Sequence, residues 1–260
     1  MALKKHILDL KVVKKQVLGG NFVLIVCTDE HNALPPMMPG QFAQLRVDGS
    51  KDTYLRRPIS IHDLDVSHNE ISFLIQLVGD GTKALSRLEA GDNLNALLPL
   101  GNGFSMPCSP QSRHLLVGGG VGTAPLLYLG REMLKIGARP SFLLGARSAS
   151  YLLRVDEFEA LGDVYVTTED GTRGEKGFVT QHSILEKEHF DRISVCGPSP
   201  MMKAVARYAK QKGIPCEVSL ENMMACGLGA CLCCVEKTVK GNVCVCTEGP
   251  VFDVNELNWE

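Results

Sequence analysis

The stretch "HLLVGGGVGTAPLLYLG", residues 114–130, decides how this chain is read. It opens with a short apolar run, "HLLVGG", that reads as a strand running into a glycine loop. A helix follows, with Pro125 near its first turn, Leu126, Leu129 and Met133 on one face, and Gly137 as its stop. Glycines let backbone come close to a pyrophosphate, and the first turn of the helix offers free N–H groups and a positive dipole end. The spacing is not the G-x-G-x-x-G fingerprint, because counting from Gly118 and Gly120 the sixth position is Thr123. A tight strand-to-helix turn without a ligand therefore competes with the nucleotide reading.

Downstream, "SFLLGA", "DVYVTT" and "RISVCG" read as further strands. "SPMMKAVARYAKQKG" reads as a helix, with Ser199 at the N-cap and Pro200 at the first helical position. Strand alternating with helix predicts a parallel α/β sheet. Upstream the rhythm differs. "EISFLIQLV" alternates Ile71, Phe73, Ile75 and Leu77 on one face, and "NFVLIVCTD" and "GQFAQLRVD" are similar β-rich runs. Short strands broken by Gly, Asp and Asn predict a small antiparallel barrel. The expected organisation is a barrel over 1–105, an α/β domain over 106–215 and a cysteine-rich tail over 216–260. No repeats or low-complexity linkers interrupt it.

Composition narrows the function classes. The 260 residues are 45% hydrophobic and 22% charged, with a net charge of −2 and scattered basic residues. That is an ordinary globular balance, and it points to neither nucleic acid nor an anionic membrane surface. "MALKKHILDLKVVKK" lacks a sustained apolar core followed by a cleavage site, so no signal peptide is expected. The uncharged run Leu115 to Gly130 is shorter than a membrane span, and it carries four glycines and Pro125 before Leu126. A cytoplasmic protein with no membrane segment is expected. In a reducing compartment its ten cysteines suggest metal binding or redox chemistry rather than disulfides. Cys27, Cys108, Cys196 and Cys216 stand singly and read as small buried hydrophobes.

The other six cysteines fall between Cys226 and Cys246, in "ACGLGACLCCVEKTVKGNVCVCTEGPVF". Cys226-x4-Cys231-x2-Cys234 is the plant-type ferredoxin spacing for a 2Fe–2S cluster, which needs one further distant cysteine. Gly227 and Gly229 lie between the first two, where a loop must wrap closely and aim N–H groups at sulfur. Zinc is the rival, but zinc sites pair cysteines as C-x2-4-C at both ends, and Cys244 and Cys246 are separated by one residue. Cys233 breaks the spacing and reads as a spectator. "NVCVCTE" reads as strand, which puts Cys244 and Cys246 on one face, so periodicity does not choose the last ligand.

Two further segments carry softer signals. "YLRRPISI" places an arginine pair beside a strand-borne serine, a combination that can bind a phosphate and a polar ring edge, or simply form an edge strand. "VGDGTKALSRL" sets Gly79, Gly81 and Thr82 ahead of a short helix, a second candidate anion-binding start.

Together, R-P-x-S in a barrel, G-G-G-x-G-x-A-P, C-G-P at a strand end and a cysteine tail resemble the ferredoxin–NADP reductase superfamily. Within it, "SLENMMACGLGACLCC" followed by "CTEGPVF" is similar to the electron-transfer subunits of type B dihydroorotate dehydrogenases. The resemblance covers essentially the whole chain. It implies FAD in the barrel, with Arg57 on a phosphate, Pro58, Ile59 and Ser60 lining the isoalloxazine, and Gly79, Gly81 and Thr82 cradling the pyrophosphate. It implies NAD in the α/β domain, with Gly119, Gly120 and Gly122 at its pyrophosphate and Cys196, Gly197 and Pro198 near the nicotinamide. It implies that Cys246, which precedes the acidic-Gly-Pro-Val-Phe turn, completes the metal ligand set Cys226, Cys231, Cys234. Cys233 departs from the family, whose members often carry glycine there.

The implied function is an NAD-dependent oxidoreductase subunit in pyrimidine biosynthesis. Electrons would pass from dihydroorotate, oxidised in an FMN-containing catalytic partner, through the 2Fe–2S cluster and FAD to NAD, in a heterotetramer of two plus two. Cluster chemistry moves single electrons and NAD takes a hydride, so a flavin, which exchanges one or two, is the needed converter. Competing readings are a related subunit of a bifurcating ferredoxin–NADP reductase or a cytosolic hydrogenase, and, in another class, a zinc-stabilised binding module. Arg147 and Ser148, beyond the strand "SFLLGA", leave a 2′-phosphate acceptable.

Overall fold

Short apolar strands with polar breaks fold into two seven-stranded sheets and one two-stranded hairpin in the computed structural model, which describes residues 4–19 and 21–259. Met1–Leu3, the start of the stretch read for targeting, lie outside the described residues. Two compact units emerge. The first takes the chain up to Gly103 together with Glu221–Glu236 and Val243–Pro250; the second takes Phe104–Leu220, Lys237–Asn242 and Val251–Glu260. The cysteine-rich tail is thus apportioned between the two units.

The first unit holds β1 (His6–Leu18), β2 (Phe22–Thr28), β3 (Phe42–Leu45), β4 (Arg57–Ser60), β5 (Asp63–Asp65), β6 (Glu70–Gln76), the short helix α1 (Asp80–Leu85) and β7 (Asn93–Leu100). The strands pair antiparallel in the order β4-β3-β7-β1-β2-β6-β5. Its two edge strands, β4 and β5, are joined by only Ile61 and His62, whose N–H groups reach Gln41 O and Ser72 O at 3.0 and 2.9 Å. A sheet whose edges are consecutive in the chain curls back on itself, which removes open edges. The alternation expected in β6 is only half of what is found. Ile71, Phe73 and Ile75 are buried, but Ser72 and Leu74 are buried as well, so both faces of the strand are covered. Leu77 lies past the strand end.

The second unit holds β8 (His114–Gly119), α2 (Ala124–Lys135), β9 (Ser141–Ala146), α3 (Val155–Glu159), β10 (Asp163–Thr168), β11 (Glu175–Lys176), α4 (Ile184–Lys187), β12 (Arg192–Cys196), α5 (Ser199–Lys212) and β13 (Cys216–Ser219). The tail then adds a hairpin of β14 (Val235–Thr238) and β15 (Gly241–Cys244), a single helical turn α6 (Val245–Glu248), and β16 (Val251–Asp253). The sheet order is β11-β10-β9-β8-β12-β13-β16, parallel except for the last strand. From β8 the chain moves outward through β9 and β10, then returns to add β12 on the other side of β8. The order therefore reverses between β8 and β12, and ligands of such sheets bind at that switch point, beyond the carboxyl ends of the strands.

Its core is built from Leu116, Leu126, Leu129, Met133, Phe142 and Phe158, the two rings meeting edge to face at 5.0 Å. α5 begins one residue earlier than expected: Pro198 is its N-cap and Ser199 its first helical residue, and Gly213 closes it with a left-handed φ of 68°. Among the described residues, no helix is long and apolar enough to cross a membrane.

Candidate cofactor-binding sites

The cysteine loop turns tightly because Gly227 and Gly229 take left-handed φ values of 69° and 80°. That path points backbone N–H groups at sulfur. Leu228 N and Cys231 N donate to Cys226 Sγ at 3.3 and 3.4 Å, Gly229 N to Cys246 Sγ at 3.2 Å, and Cys246 N to Cys234 Sγ at 3.4 Å. Donors of this kind favour thiolate, and the two from Leu228 and Cys231 pull the Cys226 thiol down to about 6. Burial, followed by contact with Cys234, pushes Cys246 up to about 12, so a thiolate there needs a cation to offset its desolvation.

Cys226 lies in hydrogen-bond contact with Cys231, and Cys234 with both Cys246 and Cys244. A tetrahedral zinc site needs four ligands around one centre, whereas a dinuclear iron group takes two cysteines on each iron. Cys226 with Cys231 makes one such pair, and Cys234 with one of Cys246 and Cys244 makes the other.

Gly229 separates the two candidates for the fourth position. Its N–H donates to Cys246, while its carbonyl accepts the Cys244 thiol at 3.8 Å. A thiol that donates keeps its proton; a sulfur that accepts suits a metal ligand. The expectation that both cysteines share a strand face does not hold, because β15 ends at Cys244 and Cys246 lies in the helical turn α6. Cys246 is fully buried and Cys244 half-buried. Cys233 is exposed while its neighbour Cys234 is buried, so the two adjacent thiols have opposite surroundings.

Barrel residues hold this turn in place. Asn102 donates through Nδ2 to the carbonyls of Thr247 and Glu248 at 3.1 and 2.8 Å, and through its backbone N–H to Gly249 O at 2.6 Å. Gly101 leaves no room for a Cβ against Gly249 O and Pro250. Sequence reading missed Asn102, since a lone asparagine near a strand end carries no signal by itself.

In the same unit, the arginine pair divides its labour. Arg56 donates through Nη1 to Gln44 O and Asn95 O at 3.1 and 3.2 Å, and through Nη2 to Asn95 Oδ1, so it ties strands together. The Arg57 side chain has no hydrogen-bond or ion-pair partner among the described residues and lies over the start of α1. A Cβ at Gly81 would stand 2.5 Å from Arg57 Nε and 3.2 Å from Thr53 Cγ2. The cradle between a guanidinium and a helix start suits a phosphate group. Gly79 caps α1 in extended conformation. The Thr82 hydroxyl accepts from Val78 N and Gly79 N at 3.0 and 3.2 Å and donates to Gly79 O at 3.0 Å, so its work is to shape the turn. Pro58, Ile59 and Ser60 lie half-buried along β4.

In the second unit, the glycine loop sits at the sheet's switch point. Gly118 and Gly119 end β8, and a 3₁₀ turn spans Gly120–Thr123 before α2. A Cβ at Gly122 would meet Cys196 O, Gly197 Cα and Gly197 N, each at 2.5 Å; one at Gly119 would meet Met201 Sδ at 2.5 Å and Pro198 Cδ at 3.0 Å. The loop after β8 and the Cys196–Pro198 turn after β12 therefore pack backbone to backbone, which only glycine permits. The fingerprint spacing fails because the third close approach, that of Gly122, is made to a neighbouring strand end.

Comparison with known proteins gives the family. Residues 221–258 match the family model described as the iron-sulfur cluster binding domain of dihydroorotate dehydrogenase B, and residues 116–207 match the oxidoreductase NAD-binding domain. Among solved structures, an NADH-dependent reduced ferredoxin-NADP oxidoreductase, studied for flavin-based electron bifurcation, has a TM-score of 0.85 at 30% identity, covering 97% of this chain and 90% of that one. The ferredoxin reductase in carbazole 1,9a-dioxygenase shares the fold, with a TM-score of 0.69 at 20% identity over 83% of this chain and 68% of its own. A dihydroorotate dehydrogenase B (NAD(+)) electron transfer subunit from Fusobacterium nucleatum is 37% identical, over 95% of this chain and 93% of its own. One from Shouchella clausii is 41% identical, over 84% and 86%. Likeness of that degree over nearly the full length of such relatives means that this chain belongs to the family of dihydroorotate dehydrogenase B electron transfer subunits.

Proposed function

We propose that this chain carries electrons from dihydroorotate, oxidised in a separate FMN-containing catalytic subunit, to NAD, with Cys226, Cys231, Cys234 and Cys246 holding a 2Fe–2S cluster. The observation that supports it most is Gly229, which gives its N–H to Cys246 and its carbonyl to Cys244 and so separates the two candidates for the fourth ligand. When bound, the flavin and the iron–sulfur group supply the exchange between single electrons and a hydride.

The protein's own residues bind and orient. Arg57 and the start of α1 at Gly79 and Gly81 hold the FAD phosphates, and Thr82 fixes that turn; Pro58, Ile59 and Ser60 line the ring. Gly119, Gly120 and Gly122 admit the NAD pyrophosphate beside the first turn of α2, and Cys196, Gly197 and Pro198 stand at the nicotinamide end. The N–H groups of Leu228, Gly229, Cys231 and Cys246 stabilise negative charge on the ligand sulfurs. No side chain is assigned as acid or base toward dihydroorotate, because that chemistry belongs to the partner. The assembly is a heterotetramer of two chains of each kind, and ten cysteines without a disulfide suit the cytoplasm.

Electron paramagnetic resonance of the reduced protein tests the ligand set. The cluster signal should disappear in Cys226→Ala, Cys231→Ala, Cys234→Ala and Cys246→Ala and persist in Cys233→Ala and Cys244→Ala. Loss in Cys244→Ala with retention in Cys246→Ala overturns the assignment of the fourth ligand.

A further inference from the structure

Two buried glutamines near β3 behave differently. Gln41 uses both ends of its amide, accepting from Met38 N at 2.7 Å and donating to Gly101 O at 2.8 Å. Gln44, on β3, is 0% exposed, yet neither its Nε2 nor its Oε1 has a hydrogen-bond partner among the described residues. Folded proteins pair nearly all such groups, because a buried amide that loses water without gaining a partner is costly. An orphaned amide in a core therefore marks a place where something else binds.

Its surroundings say what. The side chain runs against the cysteine loop: a Cβ on Gly227, next to Cys226, would stand 2.9 Å from Gln44 Cγ and 3.4 Å from Gln44 Nε2. The backbone of Gln44 is in register with Pro58 of the R-P-x-S strand. One buried amide thus lies between the strand of the flavin motif and the loop that carries the first two cysteines, all within one compact unit.

We propose that Gln44 is a positioning residue for electron transfer, its Nε2–H donating a hydrogen bond to sulfur of the iron–sulfur group held by that loop. This rests on the reading of the loop as a 2Fe–2S site. Hydrogen bonds to cluster sulfurs and exclusion of solvent set reduction potentials, and outer partners of this kind tune a metal group they never ligate. A donor in a water-free core acts more strongly than one at the surface. It favours the reduced cluster, which carries the extra negative charge.

The test uses the full chain with its cofactors. Gln44→Met keeps the shape and removes the donor. It should shift the cluster's one-electron equilibrium about tenfold toward the oxidised form, which is about 59 mV. It should also remove an exchangeable-proton coupling from the electron–nuclear double resonance spectrum. Leu100→Met is the packing control, since Leu100 Cδ1 touches the same Gly227 position at 3.0 Å; potential and coupling should both stay as they were. Should Gln44→Met lose its cluster, the unsubstituted protein decides: ¹⁵N-labelling of glutamine side-chain amides should change the nitrogen coupling to the reduced cluster. An unchanged potential and coupling in Gln44→Met, a shift in the flavin potential alone, or no effect of the label overturns the proposal. Absence of any 2Fe–2S signal from the unsubstituted chain sinks the parent reading instead, and the two failures are distinct.

Discussion

At the residue scale, what a thiol, amide or imidazole does here depends on which backbone groups face it. Cys244 and Cys246 are two residues apart and chemically identical, yet one meets a carbonyl and the other an N–H of the same glycine. Arg56 and Arg57 are adjacent, and one is consumed by strand carbonyls while the other lies over the start of α1. Arg57→Ala should remove a charge-assisted phosphate contact worth about 1.5–3 kcal/mol. FAD should then bind roughly ten- to hundredfold more weakly, read as flavin retained through gel filtration; full retention counts against the phosphate role. His114 gives a pH dependence. It is buried at the start of β8, Nε2 2.9 Å from Ser194 Oγ, and burial, with a smaller effect from the Arg192 charge, pulls it down to about 3. An unfolded histidine protonates near 6.5, so the unfolded chain takes up a proton that the native chain refuses. Stability contributed by neutral His114 is whole above about pH 6.5 and falls with acidification toward 3, by about 1.4 kcal/mol per pH unit. Native-state amide exchange in β8 should show this slope between pH 6.5 and 5, and His114→Gln should flatten it. An equal slope in both proteins removes His114 as its source.

At the scale of elements, periodicity was legible wherever packing obeyed it. "HLLVGG", "SFLLGA" and "DVYVTT" are β8, β9 and β10 to the residue, because each is a short apolar run bounded by turn residues. Their alternation with helices sufficed for a parallel sheet. The glycine loop after β8 was legible as glycines but not as geometry, since the partner of Gly122 is the strand end at Cys196–Gly197, distant in sequence. "NVCVCTE" misled for the opposite reason. It alternates like a strand, but Asn102 captures the carbonyls of Thr247 and Glu248 and holds a helical turn that local propensity does not announce. Tertiary hydrogen bonds override propensity in segments this short. The loop geometry also carries a prediction. Gly122→Ala sets a Cβ 2.5 Å from fixed backbone rather than from a flexible side-chain end. Forced overpacking of that kind costs about 1–3 kcal/mol, and it opens the approach between β8 and β12. NADH-dependent dye reduction should fall at least tenfold while the iron–sulfur signal persists, because the cysteine loop belongs to the other unit. Unimpaired reduction would place the nucleotide elsewhere.

At the scale of the whole molecule, the chain distributes chemistry rather than concentrating it. Among the described residues, the candidate phosphate cradle at Arg57 and the cysteine loop share one compact unit, and the glycine loop stands in the other. The candidate groups for exchanging a hydride with NAD and for passing single electrons onward therefore all lie within one polypeptide. A site for dihydroorotate is not among them. Such a site calls for a base poised at the carbon that loses its proton and cationic or amide groups around the substrate carboxylate, and among the described residues none of the candidate sites offers that combination. The isolated chain should then reduce an artificial acceptor with NADH and leave dihydroorotate untouched. Adding the FMN-containing subunit should restore dihydroorotate-dependent NAD reduction. Cys226→Ala separates the two activities, since it removes a sulfur that accepts from two N–H groups while leaving the Arg57 cradle intact. It should abolish the coupled reaction in the reconstituted complex and spare NADH-dependent dye reduction in protein that retains its FAD. Turnover of dihydroorotate by the isolated chain, or a coupled rate unaffected by Cys226→Ala, would refute this division of labour.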